Sequence, residues 1–63
     1  MQVFNVSGMT CSHCERAVTQ AIQALDPQAQ VQVDLAAGTV QVQSSASEQA
    51  IRAAISEEGY QVS

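Results

Sequence analysis

Two matched alternations in the middle of the chain restrict its fold more tightly than any other stretch. Val31, Val33 and Leu35 alternate with Gln30, Gln32 and Asp34, and Val40 and Val42 alternate with Gln41 and Gln43. A period of two gives each run one apolar and one polar face, the signature of a half-buried strand. Ala36-Ala37-Gly38 between them reads as a tight turn. A connection this short joins antiparallel neighbours, so the two runs form a hairpin whose apolar faces coincide. Such a hairpin is marginal alone and needs a second layer over its apolar face.

The flanking segments supply that layer. Gln2 to Val6 alternates as a first strand with Phe4 and Val6 inward, and Val3 outward or half covered at an edge; Gly8 ends the run. Ser12 followed by Glu15 matches a capping box at a helix start. Cys14, Ala17, Val18, Ala21, Ile22 and Leu25 then follow the 3-4 spacing of one apolar stripe, with Gln20 and Gln23 on the other face. Asp26-Pro27 stops this helix, because proline disfavours helical geometry in the residue before it. After the hairpin, Ser45 with Glu48 forms a second capping box, and the helix it opens runs to about Glu58. Its inner stripe is Ala50, Ile51, Ala54 and Ile55, with Glu48 and Arg52 spaced for an i,i+4 pair outside. Gly59 stands where a helix C-cap glycine belongs, and Tyr60 to Val62 is long enough for a last short strand. The order is β-α-β-β-α-β. Its economical packing is an α+β sandwich, a four-stranded antiparallel sheet with both helices on one face, known as the ferredoxin-like or split-βαβ arrangement. The two β-α-β halves look like a repeat, but only the first contains cysteine.

The 63 residues make one domain, spanning residues 1–63, near the lower limit for folding without staples. A thin core of Ala, Val and Ile suits that size; Phe4 and Tyr60 are the only aromatic residues. With two basic against six acidic side chains the formal charge is −4. Arg16, Arg52 and His13 cannot build a patch that neutralises a run of phosphates, which speaks against nucleic acid as a partner. An acidic surface suits solubility and attraction to a more basic protein. Met1 to Val6 is too short for a signal peptide and no run approaches the length of a membrane span, so a cytoplasmic location without membrane insertion is expected of a chain complete at its start.

Chemistry concentrates in Gly8-Met9-Thr10-Cys11-Ser12-His13-Cys14, at the junction of the first strand and first helix. It holds both cysteines and the single histidine. Two thiols with two residues between them can close on one soft metal ion or on each other. As a disulfide they would close too small a loop to staple the fold, and a reducing compartment would keep them as thiols. Cys11 is expected in the loop and Cys14 in the first helical turn, where unpaired N–H groups and the helix dipole favour a thiolate.

The segment Gly8 to Cys14 resembles the metal-binding loop of the heavy-metal-associated domains, which carry Gly-Met-Thr-Cys-x-x-Cys. With histidine before the second cysteine it is most similar to the small bacterial cytosolic copper(I) chaperones. The resemblance covers essentially the whole chain and implies the same βαββαβ fold. It further implies a non-enzymatic carrier that binds one Cu(I) through Cys11 and Cys14. Such a carrier passes the ion by thiolate exchange to the metal-binding domain of a copper-transporting P-type ATPase. In the family Met9 is a buried support for the loop rather than a ligand, a use that suits methionine, and Thr10 shapes the loop. Tyr60 falls where bacterial members carry an aromatic residue facing the metal and eukaryotic ones carry lysine. The plainer reading of Tyr60, an amphipathic side chain closing the end of the core, is compatible with that.

The donor set agrees with copper(I). Two thiolates satisfy Cu(I) in a nearly linear arrangement, whereas zinc usually takes four ligands. Three roles are open to His13: a solvent-facing neighbour of the thiols, a group acting on them through its charge at lower pH, or a third donor when two molecules share copper. The last would allow a copper-bridged homodimer, completed by His13 or by a cysteine of the second chain. Arg16 in the first turn is an ordinary exposed side chain on spacing, with docking as its functional alternative. Two further readings compete with a stand-alone chaperone. One is an excised amino-terminal metal-binding domain of the ATPase itself, although Met1 directly before the first strand favours the chaperone. The other is a thioredoxin-type redox protein, against which stand the short length, the element order and Met9-Thr10 before the first cysteine. The bacterial mercury-binding relatives share the loop but are generally secreted, whereas a chain complete at its start is expected to have no leader.

Overall fold

The computed structural model describes residues 2–9 and 12–63; Met1, Thr10 and Cys11 lie outside the described residues. Six elements follow in the expected order: β1 Gln2–Ser7, α1 Ser12–Leu25, β2 Gln30–Asp34, β3 Thr39–Gln43, α2 Glu48–Glu57 and β4 Gln61–Val62. The strands form one sheet in the order β2-β3-β1-β4, all pairs antiparallel. The hairpin has the register its alternation demands, with Val31 opposite Val42 and Val33 opposite Val40. Its turn is fixed by the N–H of Gly38 donating to the carbonyl of Asp34 at 2.9 Å and the N–H of Ala37 donating to the Asp34 carboxylate at 3.0 Å. Gly38 has φ +70, and a Cβ there would stand 3.3 Å from the carbonyl oxygen of Val6. That close approach lets the N–H of Val6 reach the Gly38 carbonyl at 2.8 Å and ties the turn to β1.

Both helices cover one face of the sheet. Phe4, Val6, Val40 and Val42 from the strands meet Val18 and Ile22 of α1 and Ile51 and Ile55 of α2 in a single buried cluster. Outward positions on β2 and β3 are polar, and Val3 is 60% exposed on the open sheet face. Leu25 departs from the expected stripe, being 46% exposed. It is the last residue of α1, and the chain turns away at Asp26-Pro27 so that Ala29 rather than Leu25 is buried there. Arg52 pairs with Glu48 at 3.5 Å as spaced, but it is partly covered and its guanidinium sits 5.6 Å from the centroid of the Phe4 ring.

Both capping boxes are corrected. Ser12, expected as the cap of α1, is already its first helical residue. The cap of α2 is Ser47, whose hydroxyl accepts from the N–H of Ala50 at 3.2 Å. Ser45 stands two residues too early to do this. It is engaged with Asp26 instead, as is Ser44. The Ser44 hydroxyl donates to the Asp26 carboxylate at 2.7 Å, the Ser45 hydroxyl at 3.5 Å, and the Ser45 N–H at 3.4 Å. The second carboxylate oxygen accepts from the N–H of Gln28 at 3.0 Å. Asp26 thus joins the end of α1 to the connection before α2. At the other end of α2 the cap is Glu58, and Gly59 follows with φ +96, the left-handed residue expected there. Strand β4 begins at Gln61, leaving Tyr60 in the connection.

The Ser44 hydroxyl first and then the Gln28 N–H hold the Asp26 carboxyl below its ordinary value against an opposing effect of burial, with the Ser45 donors adding less. A carboxyl lowered on folding stabilises the protein above its unfolded pKa, near 4, and that contribution is lost as pH falls through the folded value. Asp26→Asn is therefore expected to lower the urea midpoint at neutral pH. The gap between variant and parent should close on acidification below about pH 4. A gap that stays constant over that range would show that the carboxylate charge contributes nothing.

Candidate metal centre

Gly8 closes β1 with φ +97, a left-handed backbone that a side chain would strain. The turn delivers Met9 into the core, where it is 7% exposed and joins the buried cluster. Methionine, unbranched and polarizable, fills such a space well. The readings placed on Thr10 as loop-shaping and on Cys11 as a thiolate ligand fall outside the described residues.

Cys14 is the third residue of α1. It is half-buried and packs against the core cluster, and its thiol donates a long contact of 4.0 Å to the carbonyl oxygen of Gly8. The apolar stripe that buries Val18 and Ile22 continues to Cys14 at its amino end, so the packing of α1 fixes where this sulfur stands. First-turn N–H groups lack intrahelical partners and favour negative charge nearby. Tyr60 is half-buried and also packs on the core. Its Cδ1 lies 3.5 Å from where a Cβ on Gly8 would stand, so the ring rests against the glycine. The end of β1, the first turn of α1 and the α2–β4 connection thus bring Gly8, Cys14 and Tyr60 to one end of the sandwich, with Met9 buried in the core beside them. His13 is exposed in the same first turn, and Arg16 follows, also exposed.

Among the described residues no three His, Cys, Asp or Glu side chains gather into a metal-binding group. No helix among them is long and apolar enough to cross a membrane. The Gly8–Tyr60 contact was not anticipated from sequence. Its two signals were glycines, one ending β1 and one preceding Tyr60, but their spatial meeting depends on β4 pairing with β1, Val6 to Val62.

The architecture is a βαββαβ sandwich with Cys14 in the first turn of its first helix, and comparison with known proteins gives its family. The heavy-metal-associated domain matches residues 3–61. A copper chaperone CopZ of Staphylococcus aureus (strain bovine RF122 / ET3-1) is 38% identical over 64 aligned positions, covering 97% of this chain and 94% of its own. The copper chaperone Atx1 from Synechocystis PCC6803, in a Cu2 form, superposes with a TM-score of 0.97 at 38% identity over 100% of both chains. A gold binding protein superposes with a TM-score of 0.89 at 35% identity, covering 95% of this chain and 92% of its own. The chain belongs to the heavy-metal-associated domain family.

Proposed function

We propose that this protein is a cytoplasmic copper(I) chaperone that holds one ion between Cys11 and Cys14. It passes that ion to the soluble metal-binding domain of a copper-transporting P-type ATPase. The observation that carries the reading is the position of Cys14. It sits half-buried in the first turn of α1, packed against the core cluster. A fully buried ligand would retain metal but exclude a partner's thiolate. The names of the CopZ and Atx1 relatives support copper as cargo, and the gold-binding neighbour supports a preference for soft metals. The chain has two cysteines, enough for two-coordinate copper(I) and short of a four-thiolate zinc site.

Transfer is ligand exchange, not enzyme turnover. An incoming thiol loses its proton and adds to the two-coordinate ion to give a shared three-coordinate site. One copper–sulfur bond to the donor then breaks, the departing thiolate takes up a proton, and copper remains Cu(I) throughout. Cys14, held by the helix, keeps the ion while Cys11 exchanges. Met9 supports the loop and Tyr60 flanks the site, and His13, which is exposed, is a candidate third donor when two molecules share copper.

X-ray absorption of the copper-loaded protein should show sulfur neighbours, one ion per monomer; nitrogen or oxygen neighbours alone would refute the thiolate pair. On mixing with an isolated ATPase metal-binding domain, copper should equilibrate faster than it leaves the chaperone spontaneously. Chemical-shift changes should cluster at residues 9–16 and Tyr60 and spare Gln30, Gln32 and Gln41 on the open sheet face. Exchange no faster than spontaneous loss would make the protein a store or sensor.

A further inference from the structure

The two edges of the sheet are finished differently. In the order β2-β3-β1-β4 the outer strands are β2 and β4. β4 is two residues long, and shortness is one way to keep a sheet edge from pairing with another chain. β2 has five residues in unbroken register with β3 and no bulge. The other usual protections are a proline, a lysine or an inward-pointing charge on the strand. β2 has none of them: it reads Gln30-Val31-Gln32-Val33-Asp34, and its charge stands at the end. The hairpin turn shows which backbone groups lie on its free edge. The Gly38 N–H reaches the Asp34 carbonyl, so Asp34 turns its backbone toward β3. Alternation does the same for Gln32 and Gln30 and leaves the N–H and C=O groups of Val31 and Val33 pointing away from the sheet. Among the described residues, no backbone bond outside the ladder uses them.

We propose that β2 pairs antiparallel with β2 of a second copy, about a two-fold axis at Gln32, to make one continuous sheet from the two. About that axis the strand is self-complementary. Val31 of each copy faces Val33 of the other, and each such pair exchanges N–H···O=C bonds in both directions. Gln32 meets Gln32 of the second copy in a non-hydrogen-bonded pair, where side chains come closest. Its amide both donates and accepts, so two identical side chains can bond to each other. Gln30, Gln32, Gln41 and Gln43 already border a hollow of about 250 Å³ on that side of the strand, so the second copy adds amides to an uncharged surface. The acids are kept apart as well. Asp34 falls opposite Gln30, and the Asp34 residues of the two copies stand about 14 Å apart along the strands. That exceeds the screening length of about 8–10 Å at moderate salt. Glu15 borders a groove with Asp34 at the same end of β2 and is separated with it. On a chain of net charge −4 this register therefore admits a second copy where repulsion is weak. The hairpin turn is bonded to the end of β1, just before Gly8, so the pairing sends the two Cys14 ends in opposite directions and needs no metal. A single strand pair buries less than the roughly 1,200 Å² of a standard interface, so the dimer is transient.

Metal-free, reduced protein at millimolar concentration tests it. Sedimentation should show a monomer–dimer equilibrium. The amides of Val31 and Val33 should gain protection from hydrogen exchange as concentration rises, while that of Gln32, already in the ladder with β3, is protected throughout. Gln32→Lys and Gln32→Glu should each weaken association about three- to fivefold, the effect of like charges directly opposite one another. Net charge alone would move these two variants in opposite directions. Mixed together, they should form a heterodimer tighter than either homodimer, because the axis then joins opposite charges. Gln32 is exposed, and the heterodimer also shows that both variants have kept their fold. A parent that stays monomeric, or a dimer in which Val31 and Val33 still exchange freely, overturns the proposal. So do single variants that associate like the parent, or a mixture no tighter than its components. With no metal present, none of these results bears on the carrier reading.

Discussion

Phe4→Ala is expected to leave much of the population unfolded at physiological temperature. The side chain is 2% exposed and is the largest of the fully buried residues, on a central strand facing both helices. Removing a buried phenylalanine costs about 3–5 kcal/mol through lost transfer energy and the cavity left behind. A chain of 63 residues has a total stability of roughly 3–9 kcal/mol. The loss is thus comparable with the whole reserve, and Arg52 loses the ring beneath its guanidinium as well. Val3→Ala, one residue away on the open face, should shift stability by less than about 0.5 kcal/mol. Urea unfolding of the two variants measures the contrast. Equal midpoints would mean that the sandwich does not depend on the alternation of β1.

The contrast also marks what was legible in the sequence. A period of two in Val31 to Val42 admits one register, because a slip of one residue would turn every valine to solvent. The hairpin, and from it the sheet, therefore followed from local pattern. Leu25 fitted the 3-4 spacing equally well and is still exposed, since spacing says which side of a helix a residue takes but not where the covering layer ends. The serines before α2 misled for a different reason. Ser44, Ser45 and Ser47 are all competent caps, and Ser45 alone had Glu48 at the capping-box spacing. Asp26, 18 residues from Ser44, takes the hydroxyls of Ser44 and Ser45 and leaves Ser47 to the helix. Sequence marked Asp26 only as the residue before a proline, because its partners come near through tertiary packing. At the Gly8 end the burial of Met9 was legible, while Thr10 and Cys11 lie outside the described residues. The contact of Tyr60 with Gly8 was not legible, since it depends on a two-residue strand closing against β1.

Replacing either cysteine by serine should abolish tight copper binding and leave the fold in place. For Cys14 the structural part of the argument is direct. Its thiol makes a long contact to the Gly8 carbonyl, its side chain is half-buried at the edge of the cluster, and among the described residues the fully buried positions are all apolar. Serine in the first turn of a helix is well tolerated, so the cost in stability should stay within the ordinary range for a substitution outside the core, and circular dichroism should keep its helical and strand signal. The cost in binding is of another order. A hydroxyl is a hard donor that does not ionise near neutral pH, and copper(I) selects soft thiolates. Loss of an outer partner of a metal ligand lowers affinity about 10–100-fold; loss of one of two ligands should exceed that for both Cys11→Ser and Cys14→Ser. The two variants should separate in transfer. With Cys14 retained, residual copper sits on the helix-anchored sulfur and remains open to a partner's thiolate. With Cys11 alone, the ion loses the ligand that the core holds in place. Competition with a chromogenic copper(I) chelator measures the first effect and stopped-flow transfer the second. Parent-like affinity in either variant would remove the thiolate pair as the site, and equal transfer from both would remove the anchoring role given to Cys14.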